Sequence, residues 1–348
     1  MEILFLGRDE FSCAIFEELH ACRDVWQSIT VATNPDTRTG RSPLRTLAES
    51  VNVPVAFIPE AKPDFKYWEP PPPFSVPAEP PHPNHDRVLV TASFGRILTP
   101  AQLDLFLPTR RLNVHGSVLP AFRGPAPIQH AVLDNATHTG VSVAQMLKRG
   151  IDKGPLWATA QMPIAGDATF TSLRDELAKL GGRVLIDVLR DMLAGTAKST
   201  PQPTASPTRH ARTITAADAL LDFTTMTARD IVTRHRAISH QVRPAPRVPR
   251  PPPTPPLARA DDLHDPALPA PDATTAPVPA MSAEPGAAVF DKRTKTLLVR
   301  CAQGSVLAVP RVKKERRAML EARDFWNGVL PSAALLVRGE LRLVSPNE

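Results

Sequence analysis

Short apolar runs alternate with stretches of helical spacing through the first third of the chain. Residues 2–6, Glu-Ile-Leu-Phe-Leu, stop at Gly7, which predicts a strand feeding a turn. Phe11, Ala14, Ile15, Glu18 and Leu19 then fall at near-helical spacing behind Asp9, a side chain suited to cap a helix. Further β-rich runs occupy 29–32, 53–58, 88–92 and 111–115, with helical stretches at 43–50 and 100–105. This alternation predicts an α/β fold, a parallel, doubly wound sheet covered on both faces. Beyond residue 200 a helix is expected at 227–235. Short β runs at 288–290, 296–299, 305–309, 334–337 and 341–344 then predict a small barrel or sandwich.

Composition locates what the pattern leaves out. Of 40 prolines in 348 residues, 8 fall in 70–83 and 14 in 244–285, so over half of them mark two insertions between ordered blocks. The second tract, rich in Pro and Ala and without periodicity, is expected to be disordered. The expected organisation is a sheet domain over 1–200 interrupted at 69–84, a linker and helix over 201–243, the proline-rich insertion over 244–285 and a β-rich domain over 286–348. Charge follows the same division. The net +6 conceals 12 Lys/Arg against 6 Asp/Glu in 285–348 and 8 against 3 in 205–250, leaving the rest acidic. A polyanionic partner held by the basic part is the natural inference.

Other classes fall away. No apolar stretch approaches a membrane span of about 20 residues, so a soluble chain without a membrane partner is expected. Cys13, Cys22 and Cys301 lack metal spacing and are read as reduced thiols; no metal site is expected. The first turn, Gly7-Arg8-Asp9-Glu10-Phe11, lacks the second and third glycines of a dinucleotide fingerprint, and no phosphate-binding P-loop sequence occurs. NAD and ATP chemistry are therefore disfavoured.

The stretch 111–154 carries the candidate chemistry. Asn113 and His115 lie two apart at a strand end, so their side chains share a face, and both ring nitrogens of His115 are expected to be available in the crevice. Asp152 follows in a turn-like Gly150-Ile151-Asp152-Lys153-Gly154. An amide donor, an imidazole and a carboxylate can together assist acyl transfer to an amine: the first stabilises an oxyanion, the second moves protons and the third tunes it. An Asn-x-His pair also arises by chance at strand ends. His235, His240 and His264 lie in polar context and read as solvated.

These residues belong to longer motifs. Asn113 to Pro120, followed by Arg123-Gly124-Pro125-Ala126-Pro127-Ile128-Gln129, resembles the N-x-H…S-L-L-P-x-x-R-G-A-A-P-I-Q signature of the methionyl-tRNA formyltransferase family. Thr139 to Val143 with Gln145-Met146 is similar to its T-G-V-T-x-x-Q-M segment, and Gly150 to Gly154 to its G-L-D-T-G. Ser93 to Leu98, Asn34-Pro35-Asp36 with Gly40-Arg41, and Arg323-Asp324-Phe325-Trp326-Asn327-Gly328 extend the likeness over about 270 residues.

The resemblance implies a Rossmann-like formyltransferase sheet domain followed by a smaller C-terminal β-barrel of OB type. It implies transfer of formyl from 10-formyltetrahydrofolate, a co-substrate, to the α-amine of methionyl initiator tRNA in translation initiation. Asn113, His115 and Asp152 would be the catalytic trio. Phe94 and Gly95, with Ser117, Val118, Leu119 and Pro120, would bind the folate, and Arg123 would either hold a carboxylate or brace a loop. Arg38 and Arg41 would meet the acceptor stem from a loop shorter than is usual, and Lys313, Lys314, Arg316 and Arg317 would contact tRNA from the C-terminal domain. A monomer is expected. The long Pro/Ala insertions suggest a eukaryotic member and the mitochondrial matrix, although no transit peptide is visible ahead of the first strand; a bacterial member would be cytoplasmic. The readings left open are another folate-dependent formyltransferase or hydrolase, or a non-catalytic RNA-binding protein that retains this core.

Overall fold

Strand β1 (Glu2–Leu6) owes its central place to Ile3, Leu4, Phe5 and Leu6, all fully buried. The structure, a computed structural model, describes residues 1–36, 40–77, 86–203, 209–241, 260–264, 266, 281–314, 319–329, 336–337 and 340–343. After β1 come α1 (Glu10–Ala21), β2 (Ser28–Thr33), α2 (Pro43–Ser50), β3 (Val55–Phe57), β4 (Arg87–Ala92), α3 (Pro100–Leu103), β5 (Arg111–His115), α4 (Pro127–Leu133), β6 (His138–Gln145), β7 (Leu156–Pro163) and α5 (Phe170–Leu193). The sheet order is β3-β2-β1-β4-β5-β6-β7, with β1 to β5 parallel and β6 and β7 antiparallel at one edge. The expected parallel sheet is present, extended by an antiparallel pair. Asp9 caps α1 as the sequence suggests: its carboxylate accepts from the Ser12 N–H at 3.2 Å, and Ser12 Oγ accepts from the Asp9 N–H at 3.0 Å.

The chain divides into two compact units, 1–213 and 214–348, so the first runs past residue 200. Its proline-rich insertion is not all peripheral. Phe74, in the middle of 70–83, is 1% exposed and stacks on Phe106 with ring centroids 5.9 Å apart. It joins Leu4, Leu6, Phe65, Leu89 and Phe94 in one apolar cluster against the sheet. Burying such a side chain contributes about 1.5–3 kcal/mol. Buried Gln102 ties down the approach to this tract, donating from Nε2 to the carbonyls of Phe65 and Trp68 at 2.8 and 2.9 Å.

In the second unit, α6 (Ala228–Ile238) falls on the helix expected at 227–235 and is part of the packed core. Strands β8 (Ala260–His264), β9 (Ala287–Asp291), β10 (Thr296–Arg300), β11 (Val306–Val309), β12 (Arg311–Lys314) and β13 (Met319–Glu321) follow. Then come α7 (Ala322–Val329), β14 (Leu336–Val337) and β15 (Glu340–Arg342). They form two antiparallel sheets, β11-β10-β9-β15-β14 and β13-β12-β8. Ile231, Leu297, Leu307, Val312, Phe325 and Leu341 close one core among them. Strand β8 corrects the expectation of disorder throughout 244–285, since its backbone pairs antiparallel with β12. The reason is local: Ala260 to His264 is a stretch without proline, so every residue can donate to the ladder.

Two histidines of the first unit are held neutral. His130 is 4% exposed; its Nε2–H donates to the Arg212 carbonyl at 3.1 Å, while Nδ1 is buried without a partner. His20 stacks between Phe16 and Trp26 with Nε2 likewise buried and unpartnered. Burial lowers both pKa values below the ordinary 6.5. The unfolded chain therefore binds more protons just below pH 6.5, so stability falls as pH drops through that value. We expect the urea midpoint to fall between pH 7.5 and 5.5 with m unchanged, and His130→Gln to flatten the slope. A midpoint constant over that window in wild type would refute the expectation.

Candidate active site

Strand β5 sorts its side chains by parity. The Val114 side chain points toward Gly181 of α5, while Asn113 and His115 point to the opposite face. That face also holds the apolar cluster containing Phe74, so the two polar residues stand at the rim of a dry layer. His115 is 7% exposed.

Asp152 is brought over this rim by the loop between β6 and β7. The Gln145 N–H donates to the Pro155 carbonyl at 2.9 Å, closing the loop at its base, and Asp152 adopts a left-handed φ of 55°. Its Oδ1 lies 3.9 Å from His115 Nδ1, and its Oδ2 accepts from the Gly124 N–H at 3.0 Å. The predicted trio is thus assembled from two separate segments, β5 and the β6–β7 loop. The expectation that both His115 nitrogens are free is corrected: Nε2 is 3.0 Å from the Phe122 carbonyl, which only an N–H can satisfy. That bond leaves Nδ1, facing Asp152, as the nitrogen able to gain or lose a proton.

The Asp152 turn is pinned by Arg123, for which a loop-bracing role is one expectation, and by Gln202, which carries no such signal in the sequence. Gln202 donates from Nε2 to the carbonyls of Asp152 and Gly154 at 2.9 and 2.8 Å. Its Oε1 accepts from Arg123 Nη2 at 2.5 Å and from Nε at 3.2 Å, and Arg123 Nε also reaches the Asp152 carbonyl at 3.1 Å. Arg123 thus braces the loop through Nε and Nη2. Thr200 pairs with Leu156, and Ala211 exchanges backbone bonds with Arg123 and Ala126. The chain following α5 thus straps the loops that carry the site. Gln202 sits among prolines, serines and threonines, where nothing marks it in advance.

The other expected site residues divide. Ser117, Leu119 and Pro120 are buried, and Val118 is half-buried. Ser117 Oγ donates to the Ala121 carbonyl at 2.6 Å, and Ser142 Oγ bridges the Ser117 carbonyl and the Leu119 N–H at 2.8 and 2.9 Å. Their polar groups are committed inside the loop, so it presents backbone and Val118. Phe94 packs edge-on to Phe65 in the apolar cluster, and beside it Gly95 has a φ of 74°. Next to them, Ser93 donates to Asp9, whose pKa burial raises above the usual carboxylate range. Arg41 lies 3.6 Å from Asp36 and 3.1 Å from Glu49, so the loop cation is tied to its own carboxylates. Arg38, Arg316 and Arg317 lie outside the described residues; Lys313 and Lys314 contribute backbone to β12, and their side chains lie outside them too.

All three cysteines are free; Cys301 is buried, and burial pushes the thiols of Cys13 and Cys301 up to about 12. Among the described residues no group of His, Cys, Asp and Glu could hold a metal ion, and no helix is long and apolar enough to cross a membrane.

Residues 1–189 match the formyl transferase family. The methionyl-tRNA formyltransferase of Janthinobacterium sp. (strain Marseille) is 36% identical over 237 residues, 64% of this chain and 70% of that protein. The mitochondrial methionyl-tRNA formyltransferase of Mus musculus is 31% identical over 341 residues, 94% of this chain and 78% of that protein. The chain belongs to the methionyl-tRNA formyltransferase family. The formyltransferase shares its fold with WlaRD, a sugar 3N-formyl transferase (TM-score 0.55, 15% identity, 91% of this chain and 99% of that one). HypX from Aquifex aeolicus in complex with tetrahydrofolic acid is similar in fold as well (TM-score 0.55, 13% identity, 94% of this chain and 47% of that one). As a formyltransferase, the chain needs a group to receive negative charge and a group to move protons, and the β5 rim offers both.

Proposed function

We propose that this chain transfers the formyl group of 10-formyltetrahydrofolate to the α-amine of methionyl initiator tRNA, with Asn113, His115 and Asp152 as its catalytic residues. The observation that carries the reading is the meeting of these three side chains at one rim in a member of this family. Attack of the amine on the formyl carbon forms a C–N bond and leaves negative charge on the formyl oxygen. Asn113, with an amide N–H₂ free of acceptors among the described residues, is placed to donate to that oxygen. His115, protonated on Nδ1, carries positive charge beside it. Asp152 stabilises that charge and passes on the proton lost by the amine, either directly or through a water bridging the 3.9 Å gap. Return of a proton to the folate nitrogen lets the old C–N bond break.

Folate would lie along the backbone of Phe94 and Gly95 and the loop Ser117, Val118, Leu119 and Pro120. The relatives' names and the basic share of 285–348 support tRNA as acceptor, with Arg38, Arg41, Lys313, Lys314, Arg316 and Arg317 as phosphate contacts whose contribution weakens with salt. Its place of action would be the mitochondrial matrix, a reading that the mouse relative's name supports as far as the mitochondrion.

The deciding assay supplies purified chain with 10-formyltetrahydrofolate and charged initiator tRNA, glycinamide ribonucleotide, or no acceptor. Formyl-methionyl-tRNA is the expected product. Transfer only to the small acceptor, hydrolysis without acceptor, or tRNA binding with no folate-dependent formylation would each overturn the proposal.

A further inference from the structure

We infer that Thr91 is a positioning residue for Asn113, deciding which end of its amide faces the substrate carbonyl; this rests on the formyl-transfer reading above. Thr91 pairs with Asn113 across β4 and β5, so their side chains share a face. It is 5% exposed, and its hydroxyl donates to Asn113 Oδ1 at 2.8 Å. The other acceptors near that hydroxyl, the Leu112 carbonyl and the Met146 sulfur, are both at 3.4 Å. A hydroxyl has one proton to give, and the shortest contact takes it.

The consequence is electrostatic. With Oδ1 held by Thr91, Nδ2 points away from β4 and presents its N–H groups to the crevice. A reversed amide would aim a carbonyl oxygen at the oxygen that gains negative charge in the tetrahedral state, turning a stabilising contact into a repulsive one. An asparagine alone has two nearly isosteric orientations. With Nδ2 turned toward Thr91, the hydroxyl would accept from it and leave its own proton to the 3.4 Å contacts with the Leu112 carbonyl and the Met146 sulfur. Oδ1 toward Thr91 is therefore the favoured arrangement. The hydroxyl touches no reacting atom, so its effect is entirely through Asn113.

The test uses the full chain and measures formyl transfer under saturating and limiting substrate. Thr91→Val keeps shape, branching and strand preference while removing the proton donor. It is expected to lower kcat about tenfold to a hundredfold, with KM for both substrates changed by less than about twofold. Thr91→Ser is expected to restore most of the rate. In an Asn113→Ala background, Thr91→Val should add no further loss, measured by single turnover with excess enzyme. Wild-type kcat in Thr91→Val, failure of Thr91→Ser to recover, or an equal loss in the Asn113→Ala background would overturn the inference. A wild-type chain without formyl transfer would instead overturn the reading beneath it, so the two failures are distinguishable.

Discussion

Exchanging Asp152 for asparagine is expected to slow formyl transfer by about a hundredfold to ten-thousandfold while leaving Tm near that of wild type. Most of the contacts that hold this residue survive the change. An amide oxygen can still accept from the Gly124 N–H, and the main-chain carbonyl still accepts from Arg123 and Gln202. Asparagine also tolerates the left-handed φ of 55°. What disappears is the negative charge facing His115 Nδ1. The loss should appear mainly in kcat, and steady-state kinetics beside a thermal melt would check it. A variant with wild-type kcat would remove Asp152 from the chemistry, and a large drop in Tm would mean that the carboxylate is chiefly structural.

A second large effect is expected from Gly154→Ala. A Cβ at this position would lie 1.8 Å from the Gln145 carbonyl oxygen and 2.9 Å from its carbon, both rigid backbone. The loop base must open, and Gly154 is also where Gln202 takes hold. A cost of about 3 kcal/mol is expected, or a fall in Tm on the order of 10 °C, together with loss of transfer as Asp152 leaves His115. Gly166→Ala, where a Cβ would meet nothing within 4 Å, is the matched control. Equal Tm values for the two variants would contradict the close approach seen at Gln145.

How much of this was legible in the amino-acid pattern depends on which residues carried the signal. Helix α2 and strand β5 fall where the spacing places them, and the cap at Asp9 forms as its position suggests. Asn113, His115 and Asp152 were visible because they sit in motifs with fixed spacing. The long helix α5 was not, because Gly181 and Gly182 interrupt its middle. These glycines stand where a Cβ would meet Val114 at 2.9 Å and Glu18 at 2.6 Å, so close packing on β5 and α1 overrides poor helix propensity. Strand β12 was hidden in a run of positive charge, and its buried Val312 shows its place in the core only after folding. Phe74 was masked by the prolines around it. The role of Thr91 depends on a partner 22 residues away, Asn113, and that of Gln202 on partners 50 and 48 residues away, Asp152 and Gly154, and no local pattern encodes such a pairing.

The strap formed by residues 200–203 and 209–213 also has a meaning in time. A growing chain exposes Asn113 and His115 roughly ninety residues before Gln202 and Ala211 leave the ribosome. Until then the Asp152 turn lacks the side chain that grips its carbonyls, and the Arg123 loop lacks its backbone partner. The first unit would thus become able to react only when its last residues arrive, so an aborted product ending near residue 190 would carry all three proposed catalytic side chains in a site that has not been set.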